Sequence, residues 1–380
     1  MGIRFSAEAP RYVQVRQWVE RQILMGQLKP GDVLPPEREL ASQLGVSPLT
    51  VSRALQGLAQ EGVLIRKRRV GTIVAENLPP MLFQRAFTVM ALGTGAGTRQ
   101  PVDFYFSSLQ RSILNALAPL GLRTLWLGYQ IDQIERNLLS SEFVGVLAIA
   151  PAVEHVPLLQ DLYRRGIPVV VVGASDESWQ IPSVDTDNYR AAREGAEYLL
   201  GLGHRRFIGL FGALETFNSR DRWRGFRDAL LEAGIPEAHL WTFATPYADE
   251  IDEANREAIR TVLRLPDGPT AIFAGGYYLA LAVLQVIRQM GLRVPDDVSL
   301  IGFDDPPSAA LATPPLTTFR QPLEQLGACA VQRLLELARG QRPEPLHEFL
   351  PIELVVRAST APPRTSNPAR VAPGSSSPAS

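Results

Sequence analysis

Four consecutive cations, Arg66-Lys67-Arg68-Arg69, form the densest positive cluster in this sequence. In one loop they suit phosphate oxygens, and each such contact releases condensed counterions from a nucleic acid. A solvated charge run looks the same in isolation, so the preceding stretch decides the matter. Residues 37–44 and 48–61 read as two short helices around the tight turn Gly45-Val46-Ser47. Ser47 is a good N-cap, and Pro48 at the first helical position loses nothing by lacking an N–H. In a helix-turn-helix the second helix enters the major groove N-terminus first. Ser47, Pro48, Leu49, Thr50 and Arg53 would then lie nearest the bases. Arg53 carries the fork that matches a guanine edge; pairing with Glu61 or a phosphate is its simpler role. Arg38, near the start of the first helix, faces phosphate or solvent.

Other chemistry is hard to find. His155, His204, His239 and His347 are scattered, Cys329 is the only cysteine, and no H-E-x-x-H, G-x-S-x-G or S-x-x-K pattern occurs. No metal, cofactor or catalytic nucleophile is expected. Gly93-Thr-Gly-Ala-Gly97 follows a strand, but it is G-x-G-x-G and Pro101 delays the next helix. No helix N-terminus is therefore ready for a pyrophosphate.

The elements that position these residues divide the chain. Its 380 residues, 46% hydrophobic, have room for two or three domains. No apolar run approaches the roughly 18 residues that cross a bilayer, and the N-terminus lacks a secretory signal. A cytoplasmic protein without a membrane partner is expected. The net charge of −1 is uneven: residues 1–77 hold 11 Lys/Arg against 7 Asp/Glu, and the remainder is net acidic. A basic head on an acidic body points to nucleic acid at one end.

Tyr12, Val15, Val19 and Ile23 recur at helical spacing, Val51, Leu55 and Leu58 give the second short helix an inner stripe, and strands at 63–65 and 72–74 flank the basic turn. That predicts a winged helix-turn-helix over residues 1–76. A linker over 77–86 follows, because Pro79-Pro80 stops regular structure. From 87 to 358, apolar runs at 87–92, 124–127, 144–149, 168–172, 207–211, 270–274 and 298–302 read as strands covered on both faces. Amphipathic stretches at 109–120, 188–202, 222–233, 255–265 and 322–339 lie between them. Strand–helix alternation of this length predicts parallel α/β sheets in two lobes. Residues 359–380 are rich in Pro, Ser and Ala and are expected to be a disordered tail.

Leu34-Pro-Pro-Glu-Arg-Glu-Leu-Ala41, Leu44-Gly-Val-Ser47, Thr50-Val51, Arg53-Ala-Leu55, Glu61-Gly62 and Gly71-Thr-Ile-Val74 resemble the GntR-type winged helix over residues 10–76. The resemblance implies operator contacts from Arg38, from the start of the second helix, and from a wing carrying Lys67, Arg68, Arg69 and Gly71. That family usually has basic residues where this chain has Pro48 and Ser52; the run from Gly45 to Leu55 is closer to a LacI recognition helix.

The body, residues 87–358, resembles the LacI/GalR effector domain. The matching pieces are Ser183-Val-Asp-Thr-Asp-Asn188, Gly201-Leu-Gly-His-Arg-Arg206, Arg222-Trp-Arg-Gly-Phe226, Pro269-Thr-Ala-Ile-Phe273, Val294-Pro-Asp-Asp-Val-Ser-Leu-Ile-Gly-Phe-Asp-Asp305 and Pro314-Pro-Leu-Thr-Thr-Phe-Arg-Gln-Pro322. The resemblance implies two periplasmic-binding-protein-like lobes with a small-molecule cleft. By position it implies ligand contacts from Asp187, Arg222 and Asp304, from a loop carrying Asp103, Phe104 and Phe106, and from Gln321 at a lobe crossover. Carboxylates and a guanidinium at strand C-termini would hold a polyol, and aromatic faces would stack on sugar rings. Capping by Asp187, an interlobe salt bridge by Arg222 and a solvated turn at Asp304-Asp305 are the alternatives. The family's Asn-Asp pair after residue 274 is replaced by Gly275-Gly276-Tyr277-Tyr278, so an apolar group on the effector is expected to meet Phe104 or Tyr277.

The function expected is a transcriptional regulator, a repressor, that binds double-stranded operator DNA as a homodimer and answers to a sugar or glycoside. An α/β enzyme or a solute-binding protein with an attached head are the rivals. The missing nucleophile–base pair disfavours the first; the winged helix and missing secretion signal disfavour the second.

Overall fold

In a computed structural model the chain is described over residues 10–24, 27–79, 88–93, 104–120, 122–126, 143–245 and 251–364. The head is built from α1 (Arg11–Leu24), α2 (Glu37–Leu44), α3 (Pro48–Gln60), β1 (Leu64–Lys67) and β2 (Gly71–Val74). Gly45 turns the chain at φ +67, a left-handed conformation that costs other residues more. Ser47 Oγ accepts from the Thr50 N–H at 3.2 Å, with Pro48 opening α3. Val15, Val19, Leu40, Leu44, Val51, Leu55 and Leu58 bury the apolar faces of the three helices together. Truncating one of these leucines costs about 2–5 kcal/mol.

The first lobe contains β3 (Thr88–Gly93), α4 (Phe104–Leu117), β4 (Arg123–Trp126), β5 (Phe143–Ile149), α5 (Val156–Arg164), β6 (Val169–Val172) and β7 (Ser183–Thr186). The second contains α6 (Asn188–Gly201), β8 (Phe207–Phe211), α7 (Phe217–Glu232), β9 (Leu240–Ala244), α8 (Glu253–Leu263), β10 (Ala271–Ala274), α9 (Tyr277–Gln289), β11 (Ser299–Phe303), α10 (Pro307–Leu311) and β12 (Thr317–Arg320). The chain then returns to the first lobe for α11 (Leu323–Ala338) and β13 (His347–Leu350), and crosses again for β14 (Glu353–Val355). The sheets run β13-β7-β6-β5-β3-β4 and β14-β12-β11-β10-β8-β9, parallel throughout except for β14. Strands β6, β8, β10 and β11 are buried at every residue, as helices on both faces require.

Three crossovers thus join the lobes: at Asp187, at Gln321-Pro322 and at Pro351-Ile352. A further contact lies at the start of α7. Phe217 enters the first lobe's core and meets Trp179 edge-on, centroids 4.7 Å apart. Asn218 donates to the Gly173 carbonyl and Arg220 pairs with Asp176 at 3.1 Å.

The strands that the apolar runs did not predict are β7, β9 and β12 to β14. Strands β7 and β12 carry Ser183, Asp185, Thr186, Thr317 and Thr318, polar yet almost fully buried. Local partners such as Ser175 for Ser183, and the Asp304 carbonyl for Thr318, make that burial tolerable. The expected loop at 103–106 is corrected: Phe104, Tyr105 and Phe106 form the first turn of α4, because these rings drop onto the first lobe's core. The expected disordered tail is also corrected at its start. Ser359 is 1% exposed and donates to the Leu300 carbonyl, and Ala361 accepts from Ser299 and His204. Residues 365–380 lie outside the described residues, as do most of the 77–86 linker and Gly95 and Gly97 of the glycine run.

Candidate functional site

Two surfaces gather the candidate residues. On the head, the inner stripe of α3 is buried, which turns Pro48, Leu49 and Arg53 outward, beside the exposed cap Ser47; Leu49 is 79% exposed. Thr50 is half-buried and shares a 2.8 Å hydrogen bond with Ser47. The Arg53 guanidinium lies 4.0 Å from the centroid of the Tyr12 ring, and not on Glu61, which pairs with Arg16 instead. Arg66 is exposed and pairs with Glu37 at 2.9 Å. The hairpin turn presents Lys67, Arg68 and Arg69, all exposed. Arg69 (φ +70) and Gly71 (φ +114) shape that turn. Arg38 is exposed on α2.

In the body, Arg222 is 7% exposed. Its Nε donates to Asn188 Oδ1 at 2.8 Å and its Nη1 to the Gly275 carbonyl at 2.7 Å. The guanidinium lies 3.5 Å from the Phe303 ring centroid, a cation–π contact. One side chain thus ties together the start of α6, the turn before α9 and the end of β11. Its Nη2 makes no hydrogen bond among the described residues. Burial lowers the pKa of Arg222, with the charges of Asp304 and Asp185 opposing that effect.

Asp304 follows β11 at φ +70, and its Oδ1 accepts from Gln321 Nε2 at 2.6 Å. Burial raises its pKa, while Arg222 and the Gln321 bond act the other way. Gln321 Oε1 in turn accepts from Thr186 Oγ1 at 2.8 Å. Asp185, 3% exposed, accepts from the Thr186 N–H and from Asn188; burial pushes its pKa up to about 7. A cavity of about 190 Å³ opens beside this network, lined by Phe104, Ser108 and Arg111 from α4, Asp304, Asp305 and Arg320 from the second lobe, and Gln321, Leu323 and Glu324.

The structure therefore brings Phe104, Asp304 and Gln321 to one cavity, with Arg222 joined through the charge of Asp304. Asp187 caps α6, its Oδ1 accepting from the Arg190 N–H at 2.8 Å, and adjoins Asn188 on Arg222. Phe106 turns to the first lobe's core, edge-on to Tyr105. Tyr277 is 7% exposed, sits in the second lobe's core and donates to Ser308 at 2.7 Å, so its ring offers no open stacking face. Asp103 lies outside the described residues.

Sequence reasoning missed Arg111, Asn188, Asp305 and Arg320. Ser108 and Arg111 follow Phe104 at i+4 and i+7 on one helix face, a signal that could have been read. Asp305 could not: its partners Arg320 and Arg357 are 15 and 52 residues away. Among the described residues no group of three or more His, Cys, Asp or Glu could hold a metal, and no helix is long and apolar enough to cross a membrane.

Comparison with known proteins agrees with this architecture. Residues 11–74 match the bacterial regulatory proteins of the gntR family, and residues 196–360 match the periplasmic binding protein-like domain. The arabinose metabolism transcriptional repressor of Geobacillus stearothermophilus is 30% identical over 365 residues, 92% of this chain and 98% of that protein. A regulatory protein of the LacI family from Chloroflexus aggregans superposes with a TM-score of 0.63 at 26% identity, over 72% of this chain and 99% of that one. The transcriptional regulator CelR, solved as its cellobiose complex, superposes with a TM-score of 0.62 at 26% identity, over 86% of this chain and all of that one.

Proposed function

The chain belongs to the family of bacterial transcriptional regulators that join a gntR-type DNA-binding head to a LacI-type, periplasmic-binding-protein-like body, and from that premise we propose that a sugar or glycoside held between its lobes controls its grip on operator DNA. The carrying observation is the set of polar atoms left over at the lobe crossovers. Among the described residues Arg222 Nη2 makes no hydrogen bond, and Asp187 and Asp304 each hold one protein N–H group through Oδ1 with no hydrogen bond to Oδ2. A hydroxyl both donates and accepts, so a polyol satisfies such a mixed set where a purely apolar ligand cannot. Phe104 at the cavity wall supplies a face for the C–H side of a sugar ring. CelR, to which this chain is similar, was solved as its cellobiose complex.

The protein then acts in the cytoplasm as a repressor, without catalysis, as a homodimer. Two heads related by a two-fold axis match an inverted-repeat operator, and one head alone is too small to specify it. Leu311, 82% exposed on α10, is an apolar side chain that such an interface would cover. On each head, Arg53 and the start of α3 read bases, Arg38 and the wing residues Lys67, Arg68, Arg69 and Gly71 contact the backbone and minor groove, and Ser47, Pro48, Leu49 and Thr50 face the major groove.

Thermal-shift screening of the full chain against mono- and disaccharides, glycosides and nucleobases tests the ligand class. Stabilisation by polyols or glycosides is expected, because a ligand that binds only the folded state raises the melting temperature. Hits confined to nucleobases would overturn the assignment.

A further inference from the structure

Tyr12 stands out among residues the site does not yet use. It recurs with the buried positions of α1, yet it is only half-buried, and its ring faces the Arg53 guanidinium at 4.0 Å. We propose that Tyr12 is a positioning residue for base reading: its ring holds Arg53 in a preset orientation with the hydrogen-bonding edge of the guanidinium free for a guanine.

The arginines of this face differ in what holds them. Arg16 is engaged by Glu20 and Glu61 through Nε and Nη2, and the exposed Arg66 gives its Nη2 to Glu37 and the Ser52 carbonyl, so each already spends in-plane N–H groups on protein acceptors. Arg53 makes no hydrogen bond or ion pair among the described residues, and its guanidinium lies over the Tyr12 ring. Stacking uses the flat face of a guanidinium and leaves the in-plane donors open. A bidentate contact to guanine O6 and N7 needs those donors and a fixed plane. An arginine on α3 without the ring would have to lose its rotamer freedom on meeting DNA. With the ring, much of that ordering precedes binding, which is the general route by which preorganisation raises affinity. The ring comes from α1 and the guanidinium from α3, so the contact also fixes Arg53 relative to the helix packing that orients α3.

This inference rests on the reading of Arg53 as a base contact, and the test separates the two. An operator is first selected from a random duplex pool with wild-type protein. Affinities for it and for an unrelated duplex are then measured for wild type, Tyr12→Phe, Tyr12→Leu, Arg53→Ala and the double variant Tyr12→Leu/Arg53→Ala, with circular dichroism melts confirming a folded head. Tyr12→Phe, which keeps the ring, is expected within twofold of wild type. Tyr12→Leu is expected to weaken operator binding about three- to fivefold, the range of an exposed cation–π contact, and to leave the unrelated duplex unchanged. The double variant is expected to match Arg53→Ala. If Tyr12→Leu costs the same factor in the Arg53→Ala background, weakens both duplexes equally, or tightens operator binding, the positioning role is wrong. If Arg53→Ala itself leaves operator affinity unchanged, the base-reading premise fails and the inference with it.

Discussion

Gln321 donates from Nε2 to Asp304 Oδ1 at 2.6 Å, joining the second lobe crossover to the loop that ends β11. The other end of the same amide accepts from Thr186, beside the first crossover. One side chain thus engages a half-buried carboxylate and a buried hydroxyl at the seam between lobes. Gln321→Leu would keep the volume but leave both groups unpaired. A loss of about 1–3 kcal/mol is expected, read as a lower midpoint in urea unfolding. A midpoint equal to wild type would show that water replaces the amide without cost.

On the proposed reading, the wing and α3 divide the work on DNA. Replacing Lys67, Arg68 and Arg69 by alanine should weaken binding to every duplex and flatten its dependence on salt, because fewer counterions are released. Arg53→Ala should cost about 1–3 kcal/mol on the operator and little on random DNA. Titrations by fluorescence anisotropy at several salt concentrations check both. Equal losses on the two duplexes for both variants would remove the distinction.

His204 is expected to make body stability depend on pH. Its Nε2 faces the Ala361 carbonyl at 2.9 Å, so that nitrogen carries the hydrogen, and Nδ1 accepts from Thr270 at 2.8 Å. Burial holds its pKa down to about 4, against about 6.5 when unfolded. The unfolded chain therefore takes up a proton first. The stabilisation from neutral His204 is complete above about pH 6.5 and is lost as pH falls towards 4, up to about 3 kcal/mol. Asp185, with its pKa raised, has the opposite slope: its contribution falls as pH rises through about 7. Comparing wild type with His204→Gln at pH 7, 5.5 and 4.5 isolates the histidine. The variant should lose less stability on acidification; parallel curves would count against this account.

Helices α6 and α7 touch at Gly225, where a Cβ would lie 2.0 Å from the Tyr189 carbonyl oxygen. Backbone cannot yield as a flexible side chain can, so Gly225→Ala should push the helices apart. A destabilisation of at least about 1–3 kcal/mol is expected in the urea midpoint. An unchanged midpoint would mean that the contact is looser than described.

The sequence made the head legible almost residue by residue, because its signals are local. The cap at Ser47, Pro48 opening α3, the turn at Gly45 and the stripe of Val51, Leu55 and Leu58 all act within a few residues of one another. In the body, wholly apolar strands such as β8 and β10 announced themselves, whereas β7 and β12 did not. Their burial depends on hydrogen-bond partners that an apolar pattern does not encode, some near in sequence, as Asn188 for Asp185, and some far, as Gln321 for Thr186. The cleft was legible in the same uneven way. Position along the motifs pointed to Asp304 and Gln321, which do line one cavity. It could not show that Tyr277 turns to Ser308, since a side chain's direction depends on packing that spacing does not encode.

Coupling between the cleft and the head is measured most directly by operator affinity with and without ligand. The full chain would be titrated onto its selected operator at fixed salt, alone and with saturating arabinose, ribose, cellobiose or any further sugar that raises its melting temperature. Allosteric coupling of the usual size, about 1–3 kcal/mol, predicts that a binding sugar shifts operator affinity roughly 5- to 150-fold. Arg222→Lys, which keeps a charge but loses the fork that joins Asn188 and Gly275, should bind operator normally and show a much smaller shift. A sugar that binds the protein tightly yet leaves operator affinity unchanged would contradict the account.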